Sequence, residues 1–232
     1  MPLVFGAGSR LRPDERVQVL RHSLATTEHS FSSGLAVTTP ERAVLDEARV
    51  LDSDRELVVG IDMAQAAAVT TVERLSTMLA ATPVRAGRDS GPQRLRRLLD
   101  LVVPDSWSPG ETRLRLVWEV EAARPRPWRN QRIVDASGTT VAVVDLLDAQ
   151  AGVVGEYDGA PHRTSAQHRR DVQRQRDLER LGFVVVSAVA SDVASGAMRR
   201  RLAADVRRAV ARARGPEPAR RWVAGPGRPP WV

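Results

Sequence analysis

Two short apolar runs, each ending in carboxylates, constrain this chain more than any other part of it. They are Val141–Asp145 and Val153–Gly159, separated by a polar turn, and the second reads Val-Val-Gly-Glu-Tyr-Asp-Gly. Side chains alternate faces along a β-strand, so Glu156 and Asp158 share one face and Tyr157 takes the other. Carboxylates gathered at the end of an apolar strand are costly unless positive charge sits between them. If the two runs pair as a hairpin, Asp145 reaches the same spot. Three converging carboxylates form an oxygen cage of the kind that holds Mg²⁺ or Mn²⁺. The pattern therefore predicts a metal-dependent phosphodiester site built on Asp145, Glu156 and Asp158.

Charge is distributed unevenly around that site. Residues 1–91 carry 10 Arg against 12 acids and residues 92–159 carry 9 against 10, whereas residues 160–232 carry 16 Arg against 6 acids. The net charge of +7 thus arises wholly downstream of the carboxylates. A basic region beside an acidic pocket suits a polyanion such as DNA held while a metal acts on it, although a solvated helix face has the same composition. All 35 basic residues are Arg, so no lysine chemistry is available. Cysteine is absent, which excludes disulfides and cysteine-ligated zinc. No apolar run approaches ~20 residues, and the N-terminus lacks a basic stretch followed by a long apolar one. The expectation is a cytoplasmic protein with no membrane span and no signal peptide.

The chain reads as two regions and a tail. Residues 16–38 alternate weakly, as short strands do. Thr39 before Pro40 marks a helix start, and further helices are predicted over 54–68 and 70–81. Residues 82–92 are loop-like and mark a boundary, so the first region spans 1–85, with no complete helix-turn-helix. The second region, 92–214, opens with a helix over 92–102. Ser108, Pro109 and Glu111 then form a capping box for a helix running to Ala122. Strands follow at 129–135 and 139–147, joined through Ser137-Gly138, and at 152–158. A charged helix over 164–181 closes on Gly182 as its C-cap, Phe183–Val189 is a buried strand, and Asp192 caps an Arg-rich helix over 192–214. Residues 215–232 are Gly-, Pro- and Arg-rich and read as disordered, although Trp222 and Trp231 offer docking points. Helices interleaved with strands predict an α/β fold with a mixed central sheet flanked by helices, preceded by a small, mainly helical α+β region.

Four segments together resemble a known family. They are Ser108–Arg115, the Asp145 strand, Val154–His162, and Arg170-Asp171 through Arg176-Asp177 to Leu181-Gly182-Phe183. This stretch, about 92–195, is similar to the very-short-patch-repair-like endonuclease domains of the PD-(D/E)XK superfamily, in the actinobacterial form that follows an AbiEi-like antitoxin region. The resemblance implies a restriction-endonuclease-like core with Glu111, Asp145 and Glu156 around Mg²⁺, and it matches His162 to a histidine used near the metal. The superfamily signature carries Lys where this chain has Asp158.

Each residue also admits a plainer reading. Glu111 suits the third position of a capping box, and His162 is available as a general base or as a surface residue. Arg170 and Arg174 share a helix face, where they neutralise the carboxylates, contact phosphate or form surface ion pairs. Among the C-terminal arginines Arg199, Arg200, Arg201, Arg207 and Arg208, the pair Arg200 and Arg207 is assigned to phosphate contacts. Two functions are in contention. One is a Mg²⁺- or Mn²⁺-dependent endodeoxyribonuclease with Asp145, Glu156, Asp158, Glu111 and His162 as catalytic groups. The other is a non-catalytic antitoxin or regulator that binds DNA or a cognate toxin.

Overall fold

The computed structural model describes residues 2–6, 8–82, 90–159, 165–213 and 222–227. The protein is of mixed α/β type and divides into two compact units, Met1–Pro104 and Asp105–Val232. Among the described residues no helix is long and apolar enough to cross a membrane.

The first unit is mainly helical. Two small sheets open it: β1 (Pro2–Phe5) runs parallel to β2 (Gln18–Arg21), and β3 (His29–Ser32) forms a hairpin with β4 (Leu35–Thr38). Helix α1 (Pro40–Val50) starts where the sequence predicts, with Thr39 Oγ1 accepting the Arg42 N–H. Helices α2 (Asp54–Ala66) and α3 (Val72–Ala81) follow, and their apolar faces bury Leu57, Val58, Ile61, Leu75 and Leu79. Helix α4 (Gly91–Leu98) belongs to this unit, which places the division at 104/105 rather than at the loop-like segment 82–92. The cause is local: Leu95 and Leu98 are buried, and Arg94 donates to Asp54 at 2.5 Å and to the Ala48 carbonyl at 3.1 Å.

The second unit is a five-stranded mixed sheet in the order β8-β7-β6-β5-β9 with helices on both faces. Strands β5 (Trp128–Asp135), β6 (Thr140–Asp148) and β7 (Val153–Asp158) form an antiparallel meander. The β5–β6 turn follows its sequence signal, with Gly138 at φ +85° and the Asp135 carboxylate accepting the Ser137 and Thr139 N–H groups. Helix α6 (Ser165–Arg180) then crosses over, so that β8 (Val184–Val189) pairs parallel to β7. Gly182 at φ +93° ends α6 as expected, and the Phe183 N–H returns to the Leu178 carbonyl.

One face of the sheet packs Val144, Leu147 and Val154 against Leu178 and Phe183. The other packs Leu146, Val153 and Val186 against Trp118, Leu202 and Val206, from α5 (Pro109–Leu116) with its π-helical extension Val117–Glu121 and from α8 (Gly196–Ala213). The expected helix over 192–214 is two helices, because Ser195 breaks it in extended conformation. Ser195 Oγ caps α8 through the Met198 N–H, while Asp192 lies inside the short α7 (Ala190–Ala194) and accepts the Val189 N–H.

The tail also departs from expectation. Residues 222–227 are ordered, and β9 (Trp222–Pro226) forms the sheet edge antiparallel to β5. The Trp222 ring lies 4.5 Å from that of buried Phe183, so aromatic burial and ladder hydrogen bonds outweigh the Pro/Gly-rich composition. Trp222→Ala is accordingly expected to lower stability by about 2 kcal/mol in urea denaturation. A tail without fixed structure would leave the midpoint unchanged.

Candidate functional site

The site arises where β6 and β7 part company. Their ladder pairs Asp148 with Val153, Leu147 with Val154 and Leu146 with Gly155, and it ends there. One residue further, the Asp145 carboxylate takes the place of a strand partner and accepts the Tyr157 N–H at 2.7 Å. The opened gap is a cleft of about 250 Å³. Asp145, Glu156 and Asp158 line it from the sheet, Ser187 lines it from β8, and Asp171, Arg174 and Gln175 line it from α6. The alternation read from the sequence holds: Glu156 and Asp158 face α6, while Tyr157 points to the opposite face.

Tyr157 fixes a second element. A Cβ built on Gly110 would lie 2.0 Å from its ring, so only glycine lets the first turn of α5 sit this close. That contact brings Glu111 to the site. Its N–H donates to Ser108 Oγ at 3.2 Å, which is the N-cap half of the expected capping box, while its carboxylate accepts the Trp107 N–H at 2.9 Å, one residue before the cap. Glu111 does not line the cleft, yet its charge acts on both Asp145 and Glu156.

Arg174 supplies the positive charge. Its guanidinium pairs with Glu156 Oε2 and donates to the Val143 carbonyl at 3.0 Å, spanning the gap between the parted strands. One guanidinium does not satisfy two half-buried acids. Burial pushes Glu156 up to about 8, with Asp145 and Glu111 adding to the rise against Arg174. Burial likewise pushes Asp145 up to about 6, helped by Glu111 and opposed by the Tyr157 N–H and Arg174. Glu156 Oε1 is buried and has no hydrogen-bond partner.

The structure treats the predicted residues differently. Asp145, Glu156, Asp158 and Arg174 are brought together, with Glu111 beside them. His162 lies outside the described residues, as does the side chain of Arg170, whose backbone is in α6. Arg200 and Arg207 are not at the cleft: α8 packs on the other face of the sheet, and Arg207 donates to the Glu121 carbonyl at 2.9 Å. Arg199 and Arg208 are likewise engaged, with Glu121 and Asp205. Among the described residues no three acids or histidines are gathered closely enough to hold a metal ion. The expected three-carboxylate cage is therefore not assembled, because Arg174 provides the counter-charge instead.

Sequence reading missed Asp171, Gln175, Ser187 and Asn130. Ser187 had a signal, as the lone polar residue in the apolar run Phe183–Val189, and it pairs with Glu156 in register. Asp171, Arg174, Gln175 and Leu178 follow helical spacing on one face of α6. No protein-family model, curated protein or solved structure matches the chain.

The raised acids set a pH dependence. Between pH ~4 and the folded values near 6 and 8, the unfolded chain releases protons that the folded chain keeps, so stability falls as pH rises through that window. Glu156→Gln removes one of these groups. It is expected to raise the melting temperature by several degrees at pH 8.5 and to leave it nearly unchanged at pH 4. A variant less stable than the wild type at pH 8.5 would contradict the assignment.

Proposed function

We propose that the second unit is a restriction-endonuclease-like domain of the very-short-patch-repair-like type, which hydrolyses DNA phosphodiester bonds with Mg²⁺ or Mn²⁺. The observation that carries this reading is the pair of half-buried, electrostatically strained carboxylates Asp145 and Glu156, with the orphaned Glu156 Oε1, in a cleft at the point where two strands separate. Perturbed carboxylates in a cleft mark functional sites more often than structural ones. Strain of this kind is uneconomical in a purely structural pair and useful where a cation is to be captured.

Asp145 and Glu156 would hold the cation, with Glu111 or Asp158 drawn in to complete its shell, since the described acids are not gathered into a metal-ligand set as they stand. A bound divalent cation would supply an activated water and neutralise charge on the phosphate. Arg174, displaced from Glu156, would hold a phosphate oxygen of the scissile strand. The chain lacks lysine, so among the described residues Arg174 is the cation of the cleft that can take up that charge; Arg170, one turn earlier in the sequence of α6, would contact the same strand. His162 would assist proton transfer. Arg200 and Arg207 on the far face would contact more distant parts of a duplex or none.

A second reading has its own support. With Asp158 at the signature's lysine position and Arg174 already paired to Glu156, the cleft is partly self-neutralised, which suits a non-catalytic antitoxin or regulator that binds DNA or a toxin partner. Incubating plasmid and labelled oligonucleotides with the full chain and Mg²⁺ or Mn²⁺ separates the two. Cleavage is expected, and Asp145→Asn or Glu156→Gln is expected to reduce it about a hundredfold or more. Cleavage that survives both substitutions together overturns the enzyme reading. DNA retention without cleavage, indifferent to both, establishes the binding reading.

A further inference from the structure

One edge of the five-stranded sheet is open. Among the described residues β8 is the outermost strand on its side, with β7 as its neighbour. It reads Val-Val-Val-Ser-Ala-Val, with no charge, no proline and a regular register without a bulge, so nothing in these residues blunts the edge against further pairing. The opposite edge strand, β9, ends on Pro226. The Val184 N–H bonds to the Gly152 carbonyl. Alternation along a parallel strand then turns the main chain of Val184, Val186 and Ala188 toward β7, and that of Val185, Ser187 and Val189 outward. The Asp192 carboxylate takes the outward Val189 N–H at 2.9 Å. Val185 and Ser187 present theirs along the open edge, and Ser187 is exposed.

This edge borders the cleft. Val185 and Ser187 line it, and Ser187 pairs in register with Glu156. A guest residue opposite Ser187 would share that face of the sheet. It would stand two strand spacings from Glu156, roughly 10 Å. Only the small Ser187 lies between them, so a long guest side chain passes over it to the carboxylates. Val172, Leu178 and Val185 offer apolar surface to the stem of such a side chain. Among the described lining residues Asp145, Glu156, Asp158 and Asp171 face one cation, Arg174, and Glu156 Oε1 is buried with no hydrogen-bond partner. That excess of acids selects a basic guest. A second copy of β8 brings only valine, serine and alanine to the edge, so self-pairing delivers no cation to the cleft.

We propose that the β8 edge docks an extended segment of a partner protein as a sixth strand, with an arginine or lysine of that segment reaching over Ser187 into the acidic cleft. Main-chain bonds to Val185 and Ser187 supply the pairing, and the basic side chain supplies the choice of partner. The inference rests on the second reading of the site, in which the chain binds a protein, and it adds the mode of docking and the chemistry of the segment. It requires no metal ion.

The test is binding of a fluorescein-labelled, amidated peptide, Ser-Val-Thr-Arg-Thr-Val-Ser, to the full chain, followed by fluorescence anisotropy. Replacing its arginine with citrulline keeps the shape and removes the charge, and is expected to weaken binding about tenfold or more. N-methylating alternate peptide amides is expected to cost about tenfold for the set that faces β8 and less than threefold for the other set. Ser187→Pro removes an outward donor while the ladder to β7 stays intact, because an edge strand accepts proline there; it is expected to cost about tenfold too. The peptide modifications decide the matter if that variant fails to fold. Equal binding of the arginine and citrulline peptides, or indifference to both N-methylated sets, overturns this docking mode while protein binding stands. No saturable binding at millimolar peptide overturns the proposal. So does a dimer of the chain that the peptide leaves intact, since β8 is then occupied by a second copy. DNA cleavage that is lost with Asp145→Asn and Glu156→Gln instead removes the protein-binding reading itself.

Discussion

The second unit depends on a charge imbalance across a gap in its sheet. Asp145 and Glu156 stand where β6 and β7 separate, and one guanidinium, that of Arg174, serves both while also donating to the Val143 carbonyl. Burial sets the scale of the effect. Carboxylates in water would tolerate each other's charge, whereas in this cleft both are driven to retain protons well above their ordinary range. Asp145, Glu156 and Arg174 together carry one positive charge when both acids are protonated, balance when one is ionised, and carry one excess negative charge when both are. A site of that kind gains most from an added cation under the conditions where it is least stable.

Packing brings the imbalance about. Tyr157 leans over Gly110 on one face of the sheet and draws Glu111 toward the acids, while α6 lays Arg174 into the gap on the other face. Trp118 closes against Gly155 at the last regular pair of the β6–β7 ladder, where an added Cβ would lie 3.2 Å from both Trp118 and Leu146. The C-terminal strand pairs with β5 alongside, and the Gly227 N–H donates to the Asn130 carbonyl at 2.7 Å. The core on both faces is mainly aliphatic, with Trp118 on one side and Phe183 on the other.

Much of this was legible in local sequence. The alternation that sets Glu156 and Asp158 against Tyr157, the cap at Ser108, the turn at Gly138 and the stop at Gly182 are each governed by a few neighbouring residues. They came out as read. Elements governed by distant contacts did not. Strand β9 looked like a polar tail because its partners, Phe183 and β5, lie some forty and ninety residues back along the chain. Helix α4 looked like the start of the second unit because its amphipathic pattern does not say which core it will meet. Asn130 gave no signal, since no pattern in its neighbours marks the left-handed backbone it adopts inside β5.

The sequence alone determined that this is an α/β chain with acids on one strand face, a helix of arginines after them and no lysine to offset their charge. Those are properties of residue type and spacing. Only the tertiary structure decided which charge meets which. Arg174 reaches the acids because α6 crosses the sheet on their face, whereas the arginines of α8, more numerous in the sequence, pack on the other. Spacing fixes the direction of a side chain relative to its own element, but the crossover of the chain fixes the face on which that element lies. The strength of the electrostatic interaction is then set by burial, which belongs to the assembled fold.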